Sequence, residues 1–220
     1  LLWGLYRHNP FHAFVQIFIY LCRMKDSNDI PVEEHPLQPF LPAGARVLML
    51  GSFPPKHERW SMEFFYPNFN NDMWRIMGLL FYGVRDHFVV AGEKRFDRER
   101  VEEFCRERGI AIFDTASTVR RLRDNASDAF LEVVEPTDIG ALLYRLPECR
   151  AVAATGQKAA ETLAAQFGCA LPRPGEKTTV NIFERHVDFF RMPSSSRAYP
   201  LALDRKAAAY RTMFEAVGIL

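Results

Sequence analysis

Along the chain, short unbroken apolar runs alternate with stretches in which apolar residues return every three or four positions. Arg46-Val-Leu-Met-Leu-Gly51 is one such run, closed by glycine, and reads as a buried strand. Met73, Ile76, Met77, Leu80 and Phe81 fall at i, i+3, i+4, i+7 and i+8 and predict a helix with Asp72 at its N-cap. A second helix is predicted over residues 97–108, capped by Asp97 and stapled by Phe96 against Val101, with Glu102 and Arg106 paired on a solvated face. Ile110-Ala-Ile-Phe113 reads as a strand ending at Asp114-Thr115, and an arginine-rich loop is expected over residues 120–125. Thr137 is expected to cap a helix that turns Ile139, Leu142, Leu143 and Leu146 inward. Arg150-Ala-Val-Ala-Ala154 is a third strand. Thr155-Gly156 then opens a helix with Ala160, Leu163, Ala164 and Phe167 inside and Gly168 as its stop. One or two strands fall within residues 178–191, and a helix over residues 204–217 buries Leu203, Ala207, Tyr210 and Phe214.

Strands alternating with helices predict an α/β fold: a three-layer α/β/α sandwich around a central, mainly parallel sheet of about four or five strands. The pattern starts at Arg46, so residues 46–220 are expected to form the domain and residues 1–45 an N-terminal extension and leader. Within it, the apolar stretch over residues 10–22 is shorter than the ~20 residues that span a bilayer. Arg23, Met24 and Lys25 stand where a signal peptide needs small cleavage-site residues. No membrane is therefore expected. A polar, proline-bearing stretch opens at Met24, which is taken as the start of the functional protein, with residues 1–23 outside it.

Composition narrows the class. An apolar fraction of 48% and an aromatic fraction of 13% supply a large core and exclude a disordered chain. With 28 basic and 27 acidic residues the chain is not a polycation, but Lys and Arg gathered on one face still allow nucleic-acid binding. Cys22, Cys105, Cys149 and Cys169 form no Cys-x-x-Cys, which argues against zinc and iron–sulfur centres and for reduced thiols in a cytoplasmic protein.

In a parallel α/β sheet the ligand lies beyond the carboxyl ends of the strands. Three segments belong there. Gly51-Ser52-Phe53-Pro54-Pro55 follows the first strand; it lacks dinucleotide and Walker spacings, but its prolines stiffen it. Phe64-Phe65-Tyr66-Pro67-Asn68-Phe69-Asn70-Asn71-Asp72 sets aromatics and an Asn-rich turn before a helix start, where Asn71 lies at the positive end of the helix dipole. Met192-Pro193-Ser194-Ser195-Ser196-Arg197-Ala198-Tyr199 follows the last core strand, and its hydroxyls, backbone N–H groups and arginine suit phosphate oxygens. Taken singly, each segment also reads as an ordinary turn.

In order and spacing the three segments resemble the uracil-DNA glycosylase superfamily, and most closely its hypoxanthine (deoxyinosine) DNA glycosylase branch. Arg108-Gly-Ile-Ala-Ile-Phe-Asp114 and Thr155-Gly156-Gln-Lys-Ala159 extend the resemblance, which covers about residues 46–217. It implies a DNA glycosylase of base excision repair that hydrolyses the N-glycosidic bond of a deaminated base, uracil or hypoxanthine. The implied partner is DNA containing that base, met by a monomer, with no metal or organic cofactor. Two departures stand out. Phe53 occupies the position where many members carry a water-activating Asn or Asp, and Met192 the position where others carry His. In the hypoxanthine-type branch the corresponding Asn maps onto Asn71, with Asn70 as its neighbour and substitute.

The base would leave the stack and enter a pocket, with Phe53, Phe65 and Tyr66 as stacking faces and Gly51, Ser52 and Phe53 offering backbone N–H groups to the leaving base. Pro54, Pro55, Pro193, Ser194, Ser195, Ser196, Arg197 and Tyr199 would grip DNA, Arg197 or Tyr199 filling the vacated gap. Arg120, Arg121, Arg123 and Lys177 would together extend a basic track, while each taken singly reads as solvated surface. Of the histidines, His57 is expected nearest the site. A non-catalytic nucleic-acid-binding relative and a small-molecule nucleotide hydrolase remain the alternatives.

Overall fold

The structure, a computed structural model, describes residues 30–122 and 130–220; the apolar stretch over residues 10–22, Met24 and Arg123 lie outside them. In chain order the elements are β1 (Val32–Glu34), β2 (Val47–Gly51), α1 (Met73–Tyr82), α2 (Arg98–Arg108), β3 (Ile110–Asp114), β4 (Ala116–Arg121), β5 (Leu131–Pro136), α3 (Ile139–Tyr144), β6 (Ala151–Thr155), α4 (Gln157–Phe167), β7 (Lys177–Ile182), β8 (Arg185–Met192) and α5 (Leu203–Ala216).

The main sheet has five strands in the order β3-β2-β6-β8-β7, parallel except for β7, which hairpins back onto β8 at the edge. Every residue of β2, β3 and β6 is buried, so both faces of the sheet are covered. The helices flank it: α2 packs on β3, α4 on β6, and α5 on β8 and α1. This is the expected α/β sandwich. Glycine ends α1, α2 and α4 in the left-handed conformation, at Gly83, Gly109 and Gly168, and Asp97 caps α2 by accepting the Arg100 N–H at 3.2 Å. Glu102 pairs with both Arg98 and Arg106 across the solvated face of α2. Among the described residues, no helix is long and apolar enough to cross a membrane.

A second, antiparallel sheet, β1-β4-β5, corrects the sequence reading twice. First, Arg120 and Arg121 end a strand rather than open a loop. Register shifts at Ala116, Thr118 and Val119 break the two-residue alternation, which hides the strand in the sequence. Second, the expected leader is part of the domain from Val32 onward. Val32, Glu33 and Glu34 pair with Arg120, Val119 and Thr118, and Phe40 bridges Ile112 on the open edge of β3. A polar three-residue strand carries no periodicity to announce it; β4 supplies the reason for it to form.

Leu48 stands at the centre of this packing, fully buried on β2 between β3 and β6. Leu48→Ala is expected to destabilise the protein by about 3 kcal/mol, read as a lower denaturation midpoint at unchanged slope in urea titration.

Candidate active site

The carboxyl end of β2 is built around a missing side chain. Gly51 lies opposite Asp114 of β3 in parallel register, and a Cβ on Gly51 would stand 2.3 Å from Asp114 Oδ1. Glycine alone leaves that carboxylate its space. Beyond Gly51 the Pro54-Pro55 turn is held at both carbonyls: Pro54 O accepts from Arg121 Nη2 at 2.6 Å, and Pro55 O from Trp60 Nε1 at 2.7 Å. Phe53 packs with Ala116, Val119 and Leu131 in a small core beneath the second sheet.

The Asn-rich turn enters α1 by a route the sequence pattern misassigned. Asp72 does not cap the helix; it has helical dihedrals, and its side chain accepts no backbone N–H. Asn71 Oδ1 accepts the Met73 N–H instead, at 2.9 Å. The Asp72 carboxylate turns sideways, accepting from Arg197 Nε at 3.0 Å and from Lys206 Nζ at 3.0 Å. Arg75, buried one turn into α1, donates to Phe69 O at 2.8 Å and Asn71 O at 3.1 Å and so braces the turn from below. Tyr66 holds a left-handed backbone (φ 50°), unusual for a bulky residue and placed where strain collects at functional sites. Thr155 Oγ1 donates to Leu50 O, so it accepts the Tyr66 hydroxyl, at 2.9 Å. Burial, and then the Asp114 carboxylate, raise the Tyr66 pKa far above that of a free phenol. Tyr66 is thus a neutral phenol.

The serine loop is docked onto the helix start through its backbone. Asn71 and Ser196 form an antiparallel bridge, and Asp72 N–H donates to Ser195 O at 2.9 Å. Ser194 Oγ accepts from Ser196 N and Ser196 Oγ from Ala198 N, each at 3.2 Å, so two hydroxyls fix the loop's own turns. Among the described residues none hydrogen-bonds to the Ser195 hydroxyl, which lines the cleft. Lys206 Nζ also donates to Ser196 O at 2.8 Å, and Arg197 reaches Asn70 Oδ1 at 3.4 Å.

These loops enclose a cleft of about 790 Å³ at the carboxyl ends of the parallel strands. Gly51 through Pro55, Phe65, Tyr66, Asn70, Asn71, Ser194 through Arg197 and Tyr199 all line it. Pro193 does not; it is buried, with its carbonyl accepting from Tyr210 Oη at 3.0 Å. Arg121 lines the cleft, whereas Arg120 faces Glu132 and Lys177 pairs with Asp188, so the basic track is shorter than expected. His57 is an exposed partner of Glu63 outside the lining. Met192 is core. Among the described residues, no group of three or more His, Cys, Asp or Glu side chains is arranged to hold a metal.

Four site residues escaped the sequence reading. Asp114 lines the floor of the cleft, with Oδ2 held by His35 Nε2 at 2.9 Å and Oδ1 hydrogen-bonded by no described residue. Its signal was a carboxylate closing a fully apolar strand. His35 stands behind it among Phe53, Phe65 and Phe113. Thr137 does not cap α3, which Asp138 does; its hydroxyl donates to Asp114 O at 2.8 Å. Lys206 occupies a position of the inner stripe of α5, a lysine where the period asks for an apolar residue.

No family model and no curated protein matches the chain. The solved structures do yield a likeness. A solution NMR structure from Methanosarcina acetivorans, designated a candidate uracil DNA glycosylase, superposes with a TM-score of 0.57 at 19% identity over 86% of this chain and 99% of that one. At that identity the likeness establishes a shared fold, the α/β sandwich around a mainly parallel sheet, and nothing beyond it.

Removing the buried ammonium of Lys206 leaves the Asp72 carboxylate with Arg197 alone and one oxygen unpaired. Lys206→Met is expected to destabilise by about 3 kcal/mol, and the Asp72→Asn, Lys206→Met pair by less than the sum of the single changes, as a denaturant double-mutant cycle would show.

Proposed function

We propose that the protein is a monofunctional DNA glycosylase that hydrolyses the N-glycosidic bond of a deaminated base, uracil or hypoxanthine. The observation that carries this reading is the convergence of the Pro-Pro turn, the Asn-rich turn and the serine loop on one cleft, with Asn71 and Ser196 paired backbone to backbone. The cleft volume of about 790 Å³ accommodates a flipped nucleotide with its phosphates. The fold likeness to a candidate uracil DNA glycosylase supports this reading.

In this mechanism the base leaves as an anion with the bonding electron pair, the sugar passes through an oxocarbenium-like state, water adds its oxygen to C1′, and the proton that water loses passes through solvent to the departed base. Asn71 Oδ1 has one lone pair committed to Met73 N–H, which fixes the carboxamide; the second accepts a proton of the attacking water. An amide does not titrate, so Asn71 orients the water rather than deprotonating it. Tyr66 and Phe65 offer faces to the base. Asp114 Oδ1 accepts from a ring N–H that uracil and hypoxanthine both present beside a carbonyl. The Ser195 hydroxyl and Arg197 engage the flanking phosphates. Cytoplasmic location and action as a monomer complete the proposal.

A second reading keeps the cradle without the chemistry: Phe53 and Met192, where relatives carry Asn or Asp and His, are both packed into cores. Purified protein is assayed on oligonucleotides containing uracil, hypoxanthine or xanthine, with abasic sites scored after alkaline cleavage. Base release that falls at least about a hundredfold in Asn71→Ala, with oligonucleotide affinity nearly unchanged, is the expected result. Salt-sensitive binding without release from any lesion selects the second reading.

A further inference from the structure

We propose that β1 and the residue after it are working parts of the catalytic cleft: Glu33 and His35 are positioning residues, each holding one of the charged side chains that line it. The inference rests on the glycosylase reading for its kinetic test, but its geometry stands apart from that reading.

Successive residues of a strand point to opposite faces, so Glu33 and His35 share one face of the arm. Both turn toward the cleft side. Glu33 accepts from Arg121 Nε at both carboxylate oxygens, at 3.0 and 2.9 Å. Arg121 in turn donates to Pro54 O at 2.6 Å and lies 5.4 Å over the Phe53 ring. Glu33 therefore fixes the cation that fixes the first loop of the site. Two residues on, His35 Nε2 lies 2.9 Å from Asp114 Oδ2, and both side chains are nearly excluded from solvent, at 4% and 9% exposed. Nε2 faces a carboxylate oxygen and so carries a proton. Leu37, whose N–H and carbonyl lie 3.1 and 2.9 Å from Nδ1, fixes the ring from its other side.

Asp114 lines the cleft, and its second oxygen, Oδ1, lies beside Gly51, where a Cβ would stand only 2.3 Å from it. A carboxylate hung from a single side-chain torsion pair would swing; His35 removes that freedom, leaving Oδ1 as an acceptor of fixed direction. Such an acceptor selects bases that present a ring N–H there and rejects rings that present a lone pair. The arm thereby sets base selection without touching the base. β1 is too short and too charged to be held by its own hydrophobicity; beyond its pairing with β4, these two side-chain contacts are what the arm contributes to the fold.

The test uses the full chain. His35→Leu removes the donor at similar volume; His35→Gln keeps an N–H that can reach Asp114; Glu33→Gln weakens the grip on Arg121 at a half-exposed position. Circular dichroism and thermal melting establish folding. His35→Leu is expected to lower kcat on the hypoxanthine or uracil oligonucleotide by about tenfold or more, with weaker discrimination against an adenine-containing control, while His35→Gln restores most of it. Glu33→Gln is expected to raise KM with little change in kcat, and decides the matter should His35→Leu fail to fold. In parallel, the carboxyl carbon-13 resonance of Asp114 is followed by NMR: it should move in His35→Leu and return toward the wild-type position in His35→Gln. Wild-type kcat and discrimination in a folded His35→Leu protein overturn the proposal. If the wild-type protein itself releases no base, the glycosylase reading fails, and an unmoved Asp114 resonance in His35→Leu then overturns the arm's role as well.

Discussion

The cleft depends on the carboxylate of Asp72. It lies at the start of α1, yet it serves as the junction of three elements: its own helix, the serine loop through Arg197, and α5 through the buried ammonium of Lys206. A carboxylate and a lysine this deeply buried are tolerable only when each is paired and hydrogen-bonded. Lys206 meets that demand by donating to Ser196 O as well, which pulls the serine loop onto the same point. Asn71 and Ser196 consequently face each other across a backbone bridge. The Asn71 carboxamide and the serine loop are held in one unit.

A second constraint acts at the cleft floor. The parallel register sets Gly51 against Asp114, and the space a Cβ would occupy is taken by the carboxylate. Thr137 holds the Asp114 backbone and His35 its side chain, so an acceptor group faces the cleft from a rigid strand end rather than from a loop. Arg121, tied to Glu33, performs the same service for the Pro-Pro turn. The two antiparallel partners of β4 are thus support for the site as much as a sheet in their own right.

Which residues were legible follows from what each signal reports. Unbroken apolar runs and a 3.6-residue period record burial, and they marked β2, β3, β6, α1, α2, α4 and α5 because those elements are buried on a face or throughout. The three loops were legible because they follow strands whose ends must meet in a parallel sheet. Polar residues carry no such record. Asp72 and Asn71 are both good caps, and only the presence of Arg197 and Lys206, more than a hundred positions away, decides that Asp72 turns aside and Asn71 takes the Met73 N–H. Thr137 and Asp138 form a like pair, resolved by the carbonyl of Asp114. His57 was favoured over His35 by its nearness in sequence to the Pro-Pro turn. Nearness in space went the other way, because β1 pairs with β4 and brings His35 across the chain to Asp114.

By itself, then, the sequence determined the α/β layering, the positions of the buried strands along the chain and the three loops at their carboxyl ends, since hydrophobic periodicity encodes which faces leave water. Tertiary structure alone decided the partners of the charged groups, the cap of α1 and the recruitment of the N-terminal arm. Those choices depend on pairings between distant positions, and a hydrogen bond or an ion pair leaves no period along the chain to be read.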